Sequence, residues 1–344
     1  MARVAVVGAG AWGTAIAIHA ARRGHTVRLW AREKEVLESV ASTRINEPFL
    51  PGFTLAPEIS VTADKREAVA EADLVVLVPP SKFLRDVASS LAGAIRKDAV
   101  VGVASKGIEE SSLSLLGTVM REVLPEVGPE RLAFLSGPTF AKEVAQGLPC
   151  DIVAGSKDMI ASKPVQELLH SPFFRVYASA DPIGVEVGGA LKNVLAIAAG
   201  ATDALDLGLN ARAAIITRGL AEITRFGVAL GADPLTFLGL AGIGDLVLTC
   251  TGALSRNRTL GVEVAKGANP AEYVANHRTV AEGYWTAQAA YELAQKLGID
   301  APIIEQVYHV LHKERPLMEA LKNLMNREFK DELQGIRTVP PRSG

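Results

Sequence analysis

Four places in this 344-residue chain have residue types and spacings that could do chemistry. Gly8-Ala9-Gly10-Ala11-Trp12-Gly13 has the spacing G-x-G-x-x-G. It follows a short apolar run, Val4–Val7, and opens a segment of helical spacing, Trp12–Arg23. In that setting the first glycine permits a tight turn and the second lets the backbone approach a pyrophosphate. The third allows close helix–strand packing, and the helix N-terminus receives the negative charge. Elsewhere polar residues interrupt apolar surroundings. Ser105-Lys106-Gly107 follows the run Val100–Ala104, and Ser136-Gly137-Pro138-Thr139-Phe140-Ala141 follows Leu132–Leu135. Both would stand at the carboxyl ends of strands, where open α/β sheets bind ligands. Lys192-Asn193 lies early in an otherwise apolar helical segment, where a lysine either snorkels or serves a site.

The end of the second strand chooses between cofactors. An acid there binds the ribose 2′-hydroxyl of NAD, and an arginine favours the 2′-phosphate of NADP. Leu29-Trp30-Ala31-Arg32-Glu33 has no acid at the strand end, and Arg32 follows closely. This argues for acceptance of NADP alongside NAD, with a solvated surface charge as the other reading of Arg32. Glu33 reads as a first-turn helix residue.

These segments need elements to position them. In the first half, strand-like runs at Val4–Val7, Thr26–Trp30, Leu74–Val78, Val100–Ala104, Leu132–Leu135 and Ile152–Gly155 alternate with helical spacing. The helical segments are Trp12–Arg23, Glu33–Ser42, Lys82–Ile95 and Ser111–Leu124. Such alternation implies βαβ units and a parallel sheet covered on both faces. After about Asp181, strand-like runs nearly vanish. Long Ala/Leu/Gly-rich segments take over at Val185–Ala201, Ala211–Leu230, Ala271–Ala275, Tyr284–Leu297 and Ile303–His312, with Pro234 and Pro302 placed where helices start. The expected architecture is an α/β Rossmann-type N-terminal domain with a parallel sheet over residues 1–180, an all-α C-terminal domain over 181–335, and a frayed tail over 336–344.

Composition narrows the function classes. With 36 basic against 38 acidic side chains there is no strong basic field for wrapping nucleic acid. Two cysteines, Cys150 and Cys250, make neither a disulfide framework nor a Cys-x-x-Cys knuckle, and suit a reducing cytoplasm. The 18-residue uncharged run Val4–Ala21 is punctuated by glycines and begins as a strand, so it is expected to be neither signal nor membrane span. Nothing else is expected to approach membrane length, and the protein is expected to be soluble and unexported. His309 and His312 lack a third ligand, so no metal is expected. Glu222 and Glu282 are isolated acids, and Cys250 reads as a small buried hydrophobe.

Together the motifs resemble the bacterial-type NAD(P)-dependent glycerol-3-phosphate dehydrogenases. The resemblance rests on G-A-G-A-W-G at 8–13, S-K-G at 105–107, L-S-G-P-T-F-A at 135–141 and A-L-K-N-V at 190–194. It continues through G-L-N-A-R-A-A at 208–214, G-L-A-G-I-G-D-L at 239–246, S-R-N-R at 255–258 and V-A-E-G at 280–283. The motifs run in order over nearly the whole chain, with only the C-terminal tail outside.

The resemblance implies interconversion of sn-glycerol 3-phosphate and dihydroxyacetone phosphate, supplying phospholipid synthesis in the cytoplasm, with a homodimer as the expected assembly. It implies that Lys192 is the general acid/base at the C2 oxygen and that Lys106 contacts substrate and cofactor and helps hold that oxygen. Asp245 would lie near the reacting end. Gly137 and Thr139 would contact the substrate, Thr139 standing where some relatives have Ser. Ser255, Arg256 and Asn257 would hold the phosphate and its surroundings. Gly8, Gly10, Ala11, Trp12, Gly13, Arg32, Ala141, Val280 and Glu282 would meet the cofactor, as would Arg256 from its other side. Taken alone, Arg256 and Arg258 could be surface charges closing a helix pair, and Asp245 a turn or N-cap residue.

The implied chemistry is physically consistent. Hydride addition to a ketone develops negative charge on its oxygen, and preorganised cations beside that oxygen lower the barrier. A free lysine, with a pKa of about 10.4, is a poor base near neutrality. A second cation, Lys106, and partial desolvation are expected to ease proton release from Lys192, with Asp245 opposing them. A related β-hydroxyacid-type dehydrogenase of the same two-domain architecture is the alternative, and Ser105-Lys106-Gly107 and Ser255-Arg256-Asn257 favour the glycerol phosphate reading.

Overall fold

A computed structural model describes residues 1–277, 281–328 and 331–332. Val280 and the expected tail, 336–344, lie outside the described residues. The chain divides by packing into two units, residues 1–109 with 114–186, and residues 110–113 with 187–344.

The first unit is built on an eight-stranded sheet. Its strands are β1 (Arg3–Val7), β2 (Thr26–Trp30), β3 (Ile59–Thr62), β4 (Leu74–Leu77), β5 (Val100–Val103), β6 (Leu132–Ser136), β7 (Cys150–Gly155) and β8 (Phe174–Ser179). They lie in the order β8-β7-β6-β5-β4-β1-β2-β3. The Val/Leu runs are inside because both faces are covered, and every residue of β4 and β6 is buried. Val4 pairs with Val27 on one side and Leu74 on the other, so β1 is central. The chain winds outward from β1 in both directions. This reversal of strand order is the switch point where open sheets leave a crevice at their carboxyl ends.

The sheet departs from the expected all-parallel arrangement in one place: β7 runs antiparallel to β6. The connection holds only a six-residue helix, Ala141–Gln146, and is turned by Gly137 and Gly147 at φ +152° and +81°. At the outer edge, β8 is closed off by its neighbours. The Gln166 amide donates to the Val176 carbonyl at 2.6 Å, and Phe174 exchanges backbone bonds with Ser171. Edges blunted in this way resist pairing with other chains.

Three further local expectations are corrected. The helix expected over Ser111–Leu124 spans Leu116–Val123, because the residues before it form a small hairpin, Ile108–Glu109 with Ser114–Leu115, turned by Leu113 at φ +56°. Its Ser111-Ser112 turn carries local hydrogen-bonding groups that compete with helix. The helix expected over Lys82–Ile95 ends at Ser89, and Gly93 at φ +69° turns the chain after it. The strands β3 and β8 and the hairpin Ile45–Asn46 with Leu50–Thr54 carry no long apolar run and are additions to the expected set.

The second unit is helical. Its centre is the helix Pro182–Ala204, which begins in the first unit and continues into the second. By length and composition it could cross a membrane, contrary to the expectation that no later segment approached that length. Its most apolar window is 83% buried, as in the core helix of a globular protein. Neighbours approach this helix to backbone contact. A Cβ on Gly261 would lie 1.9 Å from the Ile197 carbonyl oxygen, and one on Gly283 would lie 2.5 Å from that of Asn193. Gly208–Ala229 and Glu282–Leu297 flank it, followed by Pro302–His312, whose proline sits at the first helical position as expected. Glu222, fully buried, caps that last helix from outside, accepting from the backbone N–H groups of Ile303 at 2.7 Å and Ile304 at 3.1 Å.

Candidate active site

The glycine turn lies between β1 and the helix Ala11–Arg22. Gly8 has φ +123°, and a Cβ there would meet the Val78 backbone at 3.1 Å. A Cβ on Gly13 would lie 1.9 Å from the Gly8 carbonyl oxygen, so the third glycine is what lets helix and strand close. Gly10 differs from both, because its missing side chain faces open space. No side chain caps the helix there and no acid occupies its first turn. Ala11, Trp12 and Gly13 therefore present backbone N–H groups and the positive end of the helix dipole, the arrangement that receives a pyrophosphate. The turn is held from below by Asn46, fully buried, whose amide donates to the Ala9 carbonyl and to Thr14 Oγ1, both at 2.8 Å. Sequence reasoning missed Asn46, because the two-residue strand that carries it has no apolar signature.

The next carboxyl ends adjoin this turn. Ser105 Oγ donates to the Pro79 carbonyl at 2.6 Å, so the Ser105-Lys106-Gly107 loop after β5 is tied to the β4 end that abuts Gly8. Lys106 is half-buried on this loop. Gly137, after β6, has no room for a side chain: a Cβ would lie 2.9 Å from the Ile152 Cα. Thr139 Oγ1 donates to the Gly137 carbonyl at 3.1 Å, and Ala141 opens the following helix. At the other side of the turn, Arg32 is exposed, pairs with Glu33 at 3.0 Å and stands 5.1 Å from the centre of the Phe83 ring. Glu33 occupies the N-cap position of Lys34–Thr43 rather than its first turn, and its carboxylate is engaged by Arg32.

The second unit gathers the polar residues of its own motifs around the middle of the central helix. Lys192 is the eleventh of its 23 residues, deeper than the early position expected. The Lys192 ammonium, 6% exposed, donates to the carboxylate of Asp245, 1% exposed, and to Thr249 Oγ1 at 3.1 Å. Asp245 and Thr249 share one face of the helix Asp245–Thr251, and the Thr249 hydroxyl donates to the Asp245 carbonyl at 2.6 Å. Asp245 is thus the partner of a buried cation and not merely a turn residue. Thr249 was missed; its signal is the i, i+4 spacing from Asp245 on a helix otherwise apolar on that side.

One step along the central helix, the Asn193 side-chain oxygen accepts from the Asn257 amide at 2.8 Å, and the Asn257 side-chain oxygen accepts from the Gly283 N–H at 2.9 Å. This amide chain joins the central helix to the starts of Arg256–Ala265 and Glu282–Leu297. Ser255 is the N-cap of the former, accepting from the Arg258 N–H at 3.2 Å. Arg256 and Arg258, adjacent in the motif, have different fates. Arg258 pairs with Asp203, which also holds Arg212 at 2.7 Å, so Arg258 closes a helix pair. Arg256 reaches solvent and makes no hydrogen bond or ion pair among the described residues. The protein massed around its guanidinium lowers its pKa by desolvation, and the Glu282 carboxylate opposes that. A half-desolvated guanidinium with one carboxylate in its field is suited to an anionic ligand.

Among the described residues, no group of three or more His, Cys, Asp or Glu side chains could hold a metal ion. Cys250 is fully buried, and burial pushes its thiol up to about 12, in keeping with a structural role.

Comparison with known proteins matches this chain to two family models. Residues 3–162 match the N-terminus, and residues 181–322 the C-terminus, of NAD-dependent glycerol-3-phosphate dehydrogenase. Glycerol-3-phosphate dehydrogenase [NAD(P)+] of Geobacter sulfurreducens is 50% identical over 330 residues, covering 96% of this chain and 98% of that one. The crystal structure of the Coxiella burnetii glycerol-3-phosphate dehydrogenase superposes with a TM-score of 0.89 at 36% identity, over 95% of this chain and 99% of that one. A ketopantoate reductase from Ralstonia eutropha gives 0.58 at 19% identity over 90% of this chain and 97% of its own, a likeness of fold alone. The chain belongs to the NAD-dependent glycerol-3-phosphate dehydrogenase family.

Proposed function

We propose that this protein interconverts dihydroxyacetone phosphate and sn-glycerol 3-phosphate with NADH or NADPH, and that it does so in the cytoplasm as a homodimer to supply glycerophospholipid synthesis. The observation that carries the reading is the buried Lys192–Asp245–Thr249 cluster in a chain half identical to named members of the family. The two free cysteines suit a reducing compartment.

The nicotinamide cofactor would supply or accept the hydride. Its pyrophosphate would lie on the N–H groups of Ala11–Gly13 over Gly10. Arg32 would meet the adenosine ribose or a 2′-phosphate, and Ala141, Lys106, Arg256 and Glu282 would contact the remainder. Lys192 would donate its proton to the C2 oxygen during reduction and take it back during oxidation. Asp245 and Thr249 fix its ammonium in one place, so no reorganisation is needed as charge develops. Lys106 would contribute a second cation to that oxygen. Gly137 and Thr139 would contact the carbon chain. The phosphate would sit at the start of Arg256–Ala265, on the Arg256 guanidinium and the Ser255 hydroxyl. Asn257, with one amide hydrogen committed to Asn193, has its second to offer.

The test is an assay with dihydroxyacetone phosphate and either reduced nicotinamide cofactor, following the loss of nicotinamide absorbance. Turnover with one or both is expected. Cofactor binding without turnover would overturn the substrate assignment. Elution from a calibrated sizing column as a monomer would overturn the homodimer.

A further inference from the structure

The first unit carries a second cationic recess, separate from the glycine turn. It has a volume of about 360 Å³ and lies where the carboxyl ends of Ala11–Arg22 and Ser162–Leu169 meet the edge strand β8. Arg23, the C-cap of the first helix, lines it from one side, and Arg175 and Tyr177, on the exposed face of β8, line it from another. The far wall is Gln166, Glu167 and His170.

Three features separate this recess from an ordinary solvated charged face. First, neither Arg23 nor Arg175 has a carboxylate or hydrogen-bond partner for its guanidinium among the described residues. Arg175 instead stacks 5.1 Å from the centre of the Tyr177 ring, which holds its planar fork in one orientation. Second, Glu167 is the only acid lining the recess, so two guanidiniums face one carboxylate. Third, the walls are fixed. Gln166 is tied to the Val176 carbonyl at 2.6 Å, and His19 Nε2 bonds the Leu169 carbonyl at 2.6 Å while its ring stacks on Phe174 at 4.2 Å. Guanidiniums match the geometry of a phosphate better than that of a monovalent ion. A volume of about 360 Å³ is that of roughly twelve waters, room for a phosphate with a small organic group attached.

We propose that this recess is a binding site for a dianionic phosphate group, free or carried on a small molecule, held by Arg23 and Arg175. The assignment is independent of the reaction proposed above.

The experiment is calorimetric titration of the full chain in phosphate-free buffer at physiological ionic strength. The probes are inorganic phosphate, a nucleoside monophosphate and the corresponding neutral nucleoside. The variants are Arg23→Ala with Arg175→Ala, and Arg256→Ala, which separates the proposed substrate site. The double variant is expected to lose one phosphate site of the wild type and Arg256→Ala a different one. The recess affinity should fall at least tenfold in the double variant and recover in part with lysine at both positions. Both arginines are exposed, so the variants should fold, and circular dichroism checks this. Binding of inorganic phosphate alone assigns the free ion, and binding of both phosphates assigns a monoester. Unchanged stoichiometry and affinity in the double variant, equal affinity for the neutral nucleoside, or a dissociation constant above about 10 mM would overturn the proposal.

Discussion

Lys192 is buried on the inner face of a helix, and its ammonium donates to Asp245 and Thr249. Replacing Lys192 by Ala removes the proposed proton donor and is expected to lower kcat by at least about a hundredfold, measured by the nicotinamide assay with cofactor binding retained. Thr249→Val keeps the shape and removes only the hydroxyl. It should lower kcat by about tenfold with little change in KM for dihydroxyacetone phosphate, because it loosens the lysine and not the phosphate. An equal loss in both variants would mean that Thr249 holds more than the ammonium. Arg32 offers a third test at this scale. An exposed guanidinium paired, among the described residues, only with Glu33 and Phe83 is available to a 2′-phosphate, so Arg32→Ala should raise KM for NADPH by roughly tenfold and leave that for NADH nearly unchanged. Parallel rises would place Arg32 on the shared part of the cofactor.

Among the elements, the close approach of backbones sets the strictest limits. The helix Arg256–Ala265 touches the central helix at Gly261, where a methyl group would lie 1.9 Å from the Ile197 carbonyl oxygen. Both atoms belong to regular backbone, so neither can yield alone. Gly261→Ala should therefore destabilise by about 3 kcal/mol, read as a fall in Tm, although alanine favours a free helix over glycine. The same geometry explains what sequence could and could not tell. The strands β1, β4, β5 and β6 were legible because each is a Val/Leu run buried on both faces. The helices of the second half were legible because each has an apolar stripe, with Pro302 marking the start of one. The edge strands β3 and β8 were not, because only half of each strand's side chains need be apolar. The strand β7 was legible as Ile152–Gly155, but its antiparallel direction was not, because direction is set by a connection and leaves no mark on strand composition. In the site, the family resemblance implied Lys192, Asp245 and Asn257, whereas Asn46 acts through tertiary contacts that no spacing encodes and Thr249 is marked only by its i, i+4 spacing from Asp245.

Two acids, the buried Glu222 and the half-buried Glu186, tie the stability of the whole molecule to pH. Glu222 caps the helix Pro302–His312, and desolvation raises its pKa from 4.5 to about 7 against the two backbone N–H bonds and the Arg225 charge, with Asp300 adding to the rise. Glu186 accepts from the Gly117 N–H at 2.7 Å, in the field of Arg121 and Asp181, and burial raises it to about 8. A raised carboxyl pKa means that the folded chain binds more protons than the unfolded one between the two values. Stability should therefore fall as pH rises from about 4.5 toward 7 or 8, with Glu222 contributing up to about 3 kcal/mol of that decline at 1.36 kcal/mol per pH unit. Denaturant unfolding of wild type and Glu222→Gln across this range should show a flatter profile in the variant. Identical slopes would remove Glu222 from the account.

Cys250 lies on the helix that carries Asp245 and Thr249, with no exposed surface and its thiol kept protonated. Thiolate, not thiol, attacks alkylating reagents. A reagent can therefore reach Cys250 only in those moments when this helix swings away from its neighbours and water enters. The rate of Cys250 modification is then a clock for transient opening at Lys192. Slower labelling in the presence of substrate would report, in seconds or hours, how firmly an occupied site holds its own walls shut.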